Sequence, residues 1–98
     1  MHNYELMFVT RTDVDEEALK ATREKVESVI TSGGGEVVSF DDMGKRRLAY
    51  EIDKHREGIY SLYNFRSTPD VVKELERIIN INDNILRHLT INTDEKSA

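Results

Sequence analysis

Apolar residues alternate with polar ones over two stretches of this chain and recur at helical spacing over two others. Residues 4–10, Tyr-Glu-Leu-Met-Phe-Val-Thr, place Tyr4, Leu6 and Phe8 on one face and Glu5, Met7 and Val9 on the other. That period of two predicts a strand, and apolar residues on both faces predict a central one. Asp13 then offers a helix N-cap with Glu16 in capping-box spacing. Ala18, Leu19, Val26, Val29 and Ile30 form one stripe of a helix to about Ser32. Gly33-Gly34-Gly35 ends it. The triplet follows a helix rather than opening one, which argues against a phosphate-cradling loop.

A second strand starts at Glu36–Phe40, is interrupted by a bulge or bend at Asp41, Asp42 and Gly44, and resumes over Arg46–Ile52. Lys54–Gly58 reads as a hairpin loop with Gly58 at positive φ. Ile59–Arg66 returns as a third strand. Thr68-Pro69-Asp70 opens a second helix, with Val71, Val72, Leu75, Ile78 and Ile79 as its apolar stripe. Asn80–Asn84 is turn-like, Ile85–Ile91 is the last strand, and a polar tail is expected to fray from Asn92. The order β-α-β-β-α-β predicts an α+β, ferredoxin-like fold: a four-stranded antiparallel sheet with two helices on one face and the other face uncovered. The expected organisation is one domain over residues 1–92 and a short tail over residues 93–98.

Composition narrows the function classes. The chain has 98 residues and no cysteine, which excludes a disulfide framework, a thiolate metal site and a cysteine nucleophile. No apolar run approaches the roughly 20 residues of a membrane span, and the N-terminus lacks the pattern of a signal peptide, so a cytoplasmic protein is expected. His2, His55 and His88 lack metal-ligand spacing. No nucleophile elbow or P-loop is present, and no cofactor, metal or small-molecule substrate is expected. The fold is shared with acylphosphatase, an enzyme reading that would need an arginine and a phosphate loop after the first strand. Arg11 sits there, but Thr10, Thr12 and Asp13 supply no glycine cradle, and Asp13 repels phosphate.

Charge is distributed unevenly. The formal net charge is −5, yet Lys45, Arg46, Arg47, Lys54 and Arg56 cluster between positions 44 and 56 against only Glu51 and Asp53. That window carries +3, leaving −8 for the rest of the chain. Such an island predicts an anionic partner met at one edge, most simply nucleic acid. Its blander role is to keep an edge strand from aggregating. On the uncovered sheet face, Met7, Val9, Tyr60 and Leu62 are expected to form an exposed apolar patch suited to a protein partner.

The run Gly44-Lys45-Arg46-Arg47-Leu48-Ala49-Tyr50-Glu51-Ile52 carries a specific likeness. Together with Tyr4-Glu5, Gly58 and the stretch from Asp83 through Arg87-His88, it resembles the bacterial small-subunit ribosomal protein S-six family along nearly the whole chain. The resemblance implies a ferredoxin-like fold and no catalysis. It implies binding to the central domain of 16S rRNA as a heterodimer with ribosomal protein S-eighteen, within the small (30S) subunit. Carried onto this chain, the rRNA contacts are Lys45, Arg46, Arg47, Lys54, Arg56 and Arg87, with Tyr50 a partner-contact residue. The chain departs from the family pattern in having His2 where many relatives carry arginine and Leu86 where some do. The alternative is a protein-interaction adaptor that uses the open sheet face and no RNA.

Overall fold

Six elements form in the computed structural model, which describes residues 1–94. They are β1 (His2–Thr10), α1 (Glu16–Ser32), β2 (Glu36–Ile52), β3 (His55–Ser67), α2 (Pro69–Asn80) and β4 (Ile85–Asn92). The sheet order is β2-β3-β1-β4, every neighbouring pair antiparallel. This is the expected ferredoxin-like arrangement, with β1 central.

The alternation of β1 decides where the core sits. Tyr4, Leu6 and Phe8 are buried beneath the helices, with Tyr63 and Phe65 beside them on β3. Val26 and Ile30 of α1 and Leu75 and Ile79 of α2 close the layer from above. The Tyr63 hydroxyl, buried within this layer, donates to the Glu27 carboxylate at 2.7 Å. Beside it, Arg23 donates to buried Ser61, pairs with Asp42 at 3.3 Å and lies over the Phe40 ring. This polar seam ties α1 to β2 and β3.

Several local expectations change. Asp15, not Asp13, caps α1: its side chain accepts from the Ala18 N–H at 2.8 Å. Asp13 is instead held in a two-point contact by Arg11. The chain end does not fray from Asn92. Thr93 donates to the Asn3 carbonyl at 2.8 Å, and Asp94 accepts from the Asn3 N–H and contacts the His2 ring, each at 2.7 Å. The rest of the expected polar tail, residues 95–98, lies outside the described residues. These amide and ring contacts, the Asn3 N–H foremost, hold the Asp94 carboxyl below its ordinary value.

The second strand is unbroken where two pieces were expected. Its interruption is a bulge between Asp42 and Gly44, with Gly44 at φ +76. The hairpin turn is also shorter than expected. Ile52 pairs with His55, leaving a two-residue turn whose Asp53 and Lys54 both take positive φ, 47 and 68. Gly58 is therefore not the positive-φ residue. It is required by close approach, because a Cβ there would lie 2.2 Å from Val9 Cγ1.

A candidate nucleic-acid interface on the β2–β3 arm

Beyond Arg47 the second strand leaves its ladder. Arg47 pairs with Glu57 and Ile52 with His55, so the four residues between Arg47 and Ile52 face only one, Arg56, on β3. The surplus bends the segment over the sheet face opposite the helices. Leu48 is buried, 7% exposed, and its Cδ2 stands with Val9 Cγ1 above Gly58. Tyr50 reaches further, and its hydroxyl oxygen accepts from Arg87 Nη1 at 2.9 Å. Arg87 belongs to β4, at the opposite edge of the sheet. The arm thus crosses all four strands.

This corrects the expected open face. Val9 is fully buried (0% exposed), so it cannot belong to a surface patch. It lies opposite both Tyr60 and Arg87, in the row over which the arm closes. Met7 lies opposite Leu62 on one side and Leu89 on the other, one row further from the arm. Met7, Tyr60 and Leu62 are half-buried, while Leu89 is 55% exposed. Leu89 was not singled out by the sequence reading, although its two-residue spacing from Arg87 and Ile91 places all three on one face.

The basic residues divide by the same alternation. Lys45 pairs with Ile59 and Arg47 with Glu57, on the face that elsewhere carries the helices. Arg46 pairs with Gly58, on the face of Val9, and Arg56 shares that side two residues along. Lys54 stands at the turn. The cations therefore lie at one end of the arm but on both faces of a ribbon two strands wide.

Some basic side chains are compensated by ion pairs. Arg11 is paired with Asp13, Lys20 with Glu24, Arg23 with Asp42 and Arg77 with Glu74. Lys45 is likewise paired, with Glu57 at 3.3 Å. Among the described residues Arg46, Arg47, Lys54, Arg56 and Arg87 make no ion pair, and neither do Lys25, Arg66 and Lys73; what sets the arm apart is that four of these cations fall between positions 46 and 56. Arg46 donates only to the Met43 carbonyl and Arg87 only to the Tyr50 hydroxyl. Positive charge on these side chains is uncompensated within the fold.

The enzyme-like features do not assemble. Both Nε and Nη2 of Arg11 are committed to Asp13, which raises the guanidinium's affinity for its proton and lowers the Asp13 carboxyl's. The histidines sit apart: His2 against Asp94, His88 against Asn80 and His55 beside the turn. Among the described residues no group of three His, Asp or Glu side chains could hold a metal ion. What the geometry offers is an exposed cationic ribbon joined to an apolar sheet face.

The profile of the family described as Ribosomal protein S6 matches residues 3–92. The chain belongs to that family. It is 50% identical over 95 residues to the small ribosomal subunit protein bS6 of Clostridium acetobutylicum, covering 97% of this chain and 100% of that protein. It is also 50% identical to bS6 of Syntrophomonas wolfei over 97 residues, covering 98% and 100% respectively. The crystal structure of 30S ribosomal protein S6 from Thermotoga maritima superposes with a TM-score of 0.91 at 31% identity, covering 98% of this chain and 91% of that one. Membership of the S6 family accounts for the fold.

Proposed function

We propose that this S6-family protein is a structural, RNA-binding component of the small ribosomal subunit in the cytoplasm, acting by charge and shape rather than by catalysis. Its target is the central domain of 16S rRNA, which it meets as a heterodimer with ribosomal protein S-eighteen. The observation that carries this reading is the set of uncompensated cations on the arm. Exposed guanidinium and ammonium groups without carboxylate partners are suited to phosphate oxygens, which position a protein on RNA without reading its sequence. Arg46, Arg47, Lys54 and Arg56 supply these contacts, and Lys45 joins them when RNA competes with Glu57.

The remaining surface explains the need for a partner. A body of charge −8 outside the arm window repels phosphates. A basic companion seated on the apolar face would cover Met7, Tyr60 and Leu62 and extend the positive surface. Val9 supports that face from below. Tyr50, at 61% exposure, borders both surfaces.

Binding of the heterodimer to a central-domain rRNA fragment, measured across a salt series, tests this reading. Arg46→Ala with Arg47→Ala should flatten the dependence of log K on log salt by about 1.4–1.8, from roughly 0.7–0.9 per lost phosphate contact. The fold should be retained, since both side chains are exposed. An unchanged slope rejects the arm as the RNA-binding element. Absence of the protein from sedimenting small subunits supports the adaptor alternative instead.

A further inference from the structure

Arg87 and the arm come from opposite edges of the sheet, and only the lean of the arm brings Tyr50 onto Arg87. Two contacts produce that lean. Leu48 fills the recess that Gly58 leaves beside Val9, and Tyr50 caps Arg87. The second contact is unusual in its chemistry. The guanidinium carbon lies 5.5 Å from the Tyr50 ring centroid, and Nη1 donates to the phenolic oxygen at 2.9 Å. An aromatic ring and a neutral oxygen fix an arginine's direction without neutralising it. Every other arginine with a side-chain partner among the described residues has a carboxylate in reach: Arg11, Arg23 and Arg77.

We propose that Tyr50 is a positioning residue for Arg87, aiming its uncompensated guanidinium along the same flank as the arm so that both bind one run of RNA phosphates. The inference rests on the reading of the arm as an RNA-binding element. It assigns to Tyr50 a part in RNA binding that needs no contact between Tyr50 and RNA. The remaining N–H groups of the Arg87 fork are left for phosphate oxygens, which accept two parallel hydrogen bonds from such a fork.

The test is a double-mutant cycle in the heterodimer with S-eighteen, measuring affinity for the central-domain rRNA fragment over a salt series. Arg87→Ala removes one phosphate contact and should flatten the salt slope by about 0.7–0.9. Tyr50→Ala removes no charge, yet it should flatten the slope by the same amount. The double substitution should flatten it no further. Tyr50→Phe keeps the ring and loses the oxygen acceptor, so its slope should lie between the wild type and Tyr50→Ala. Tyr50 is largely exposed, so these variants should fold, which far-ultraviolet circular dichroism checks.

A Tyr50→Ala protein that loses affinity with its slope intact, additively with Arg87→Ala, means that Tyr50 touches RNA or partner directly and overturns the inference. So does wild-type behaviour of both Tyr50 variants. An unchanged slope in Arg87→Ala overturns it too, while leaving the arm reading to stand or fall on Arg46→Ala and Arg47→Ala.

Discussion

Replacing Gly58 with alanine probes the recess that sets the arm. An added Cβ would sit 2.2 Å from Val9 Cγ1, 3.3 Å from the Thr10 carbonyl oxygen and 3.6 Å from Leu48 Cδ2. The first distance falls short of ordinary carbon contact by about 1.3 Å or more. Val9 cannot swing into solvent, because it is 0% exposed. Forcing a methyl into such a site costs about 1–3 kcal/mol. Working in the other direction, alanine restricts the unfolded chain more than glycine does, worth about 0.4–1 kcal/mol where φ is not positive. The steric term wins, and a net loss of about 1–2 kcal/mol is expected. For a domain of this size each kcal/mol lowers Tm by about 4–8 °C.

Urea unfolding of Gly58→Ala, Val9→Ala and the double variant checks the origin of the loss. Val9→Ala alone should cost about 1.6 kcal/mol for two buried methylene equivalents, plus a cavity contribution. In the double variant the new methyl occupies the space that Val9 vacates. Its loss should be smaller than the sum of the singles by at least about 1 kcal/mol. A harmless Gly58→Ala, or strictly additive losses, would refute the claim that Leu48, Val9 and Gly58 form one recess.

Other expectations follow from single contacts. Tyr63→Phe removes a hydrogen bond to a half-buried carboxylate and should cost about 1–2 kcal/mol in urea unfolding. Burial, then the bond to Glu27, raises the Tyr63 hydroxyl above its ordinary value. The unfolded chain therefore ionises first, so this stabilisation is complete below about pH 10 and is lost as pH rises further. Subtracting the pH profile of Tyr63→Phe from that of the wild type should isolate the decline. Asp15→Ala should destabilise α1 by about 1 kcal/mol, the usual loss for an N-cap, whereas Asp13→Ala should leave the unfolding midpoint unchanged. Asp94 is held below its ordinary value, so its staple to Asn3 persists above the unfolded carboxyl value of about 4 and is lost as pH falls through the depressed one. Accelerated amide exchange confined to Asn3 and Thr93 on acidification would show it. Uniform acceleration across β1 would refute it.

Fold class was legible in the sequence because it depends on periodicity, which a chain carries locally. Tyr4, Leu6 and Phe8 had to share a face whatever they packed against, and the stripes of α1 and α2 had to cover something apolar. The uneven charge was equally plain, as was the motif around Arg46 and Arg47. Choices between equivalent neighbours were not. Asp13 and Asp15 are both of capping type; in the fold Arg11 holds Asp13 while Asp15, next to the first helical residue, caps. The turn carries Asp53-Lys54 at two positive-φ positions, without the glycine that would have marked it. Gly58, the nearest glycine, was needed for room and not for its dihedral freedom.

The course of the arm belongs wholly to the tertiary structure. Alternation of Leu48, Tyr50 and Ile52 states that the segment is extended and two-faced, but not which surface it lies on. Long-range pairing settles that. The mismatch in length between β2 and β3 after Arg47 throws the segment off the ladder, and the empty site at Gly58 gives Leu48 a place to bury. The arm closes over Val9, and its Tyr50 meets Arg87 on β4, for that reason. A residue's type and spacing are local properties, whereas its neighbour across a sheet is fixed only when every strand has found its register.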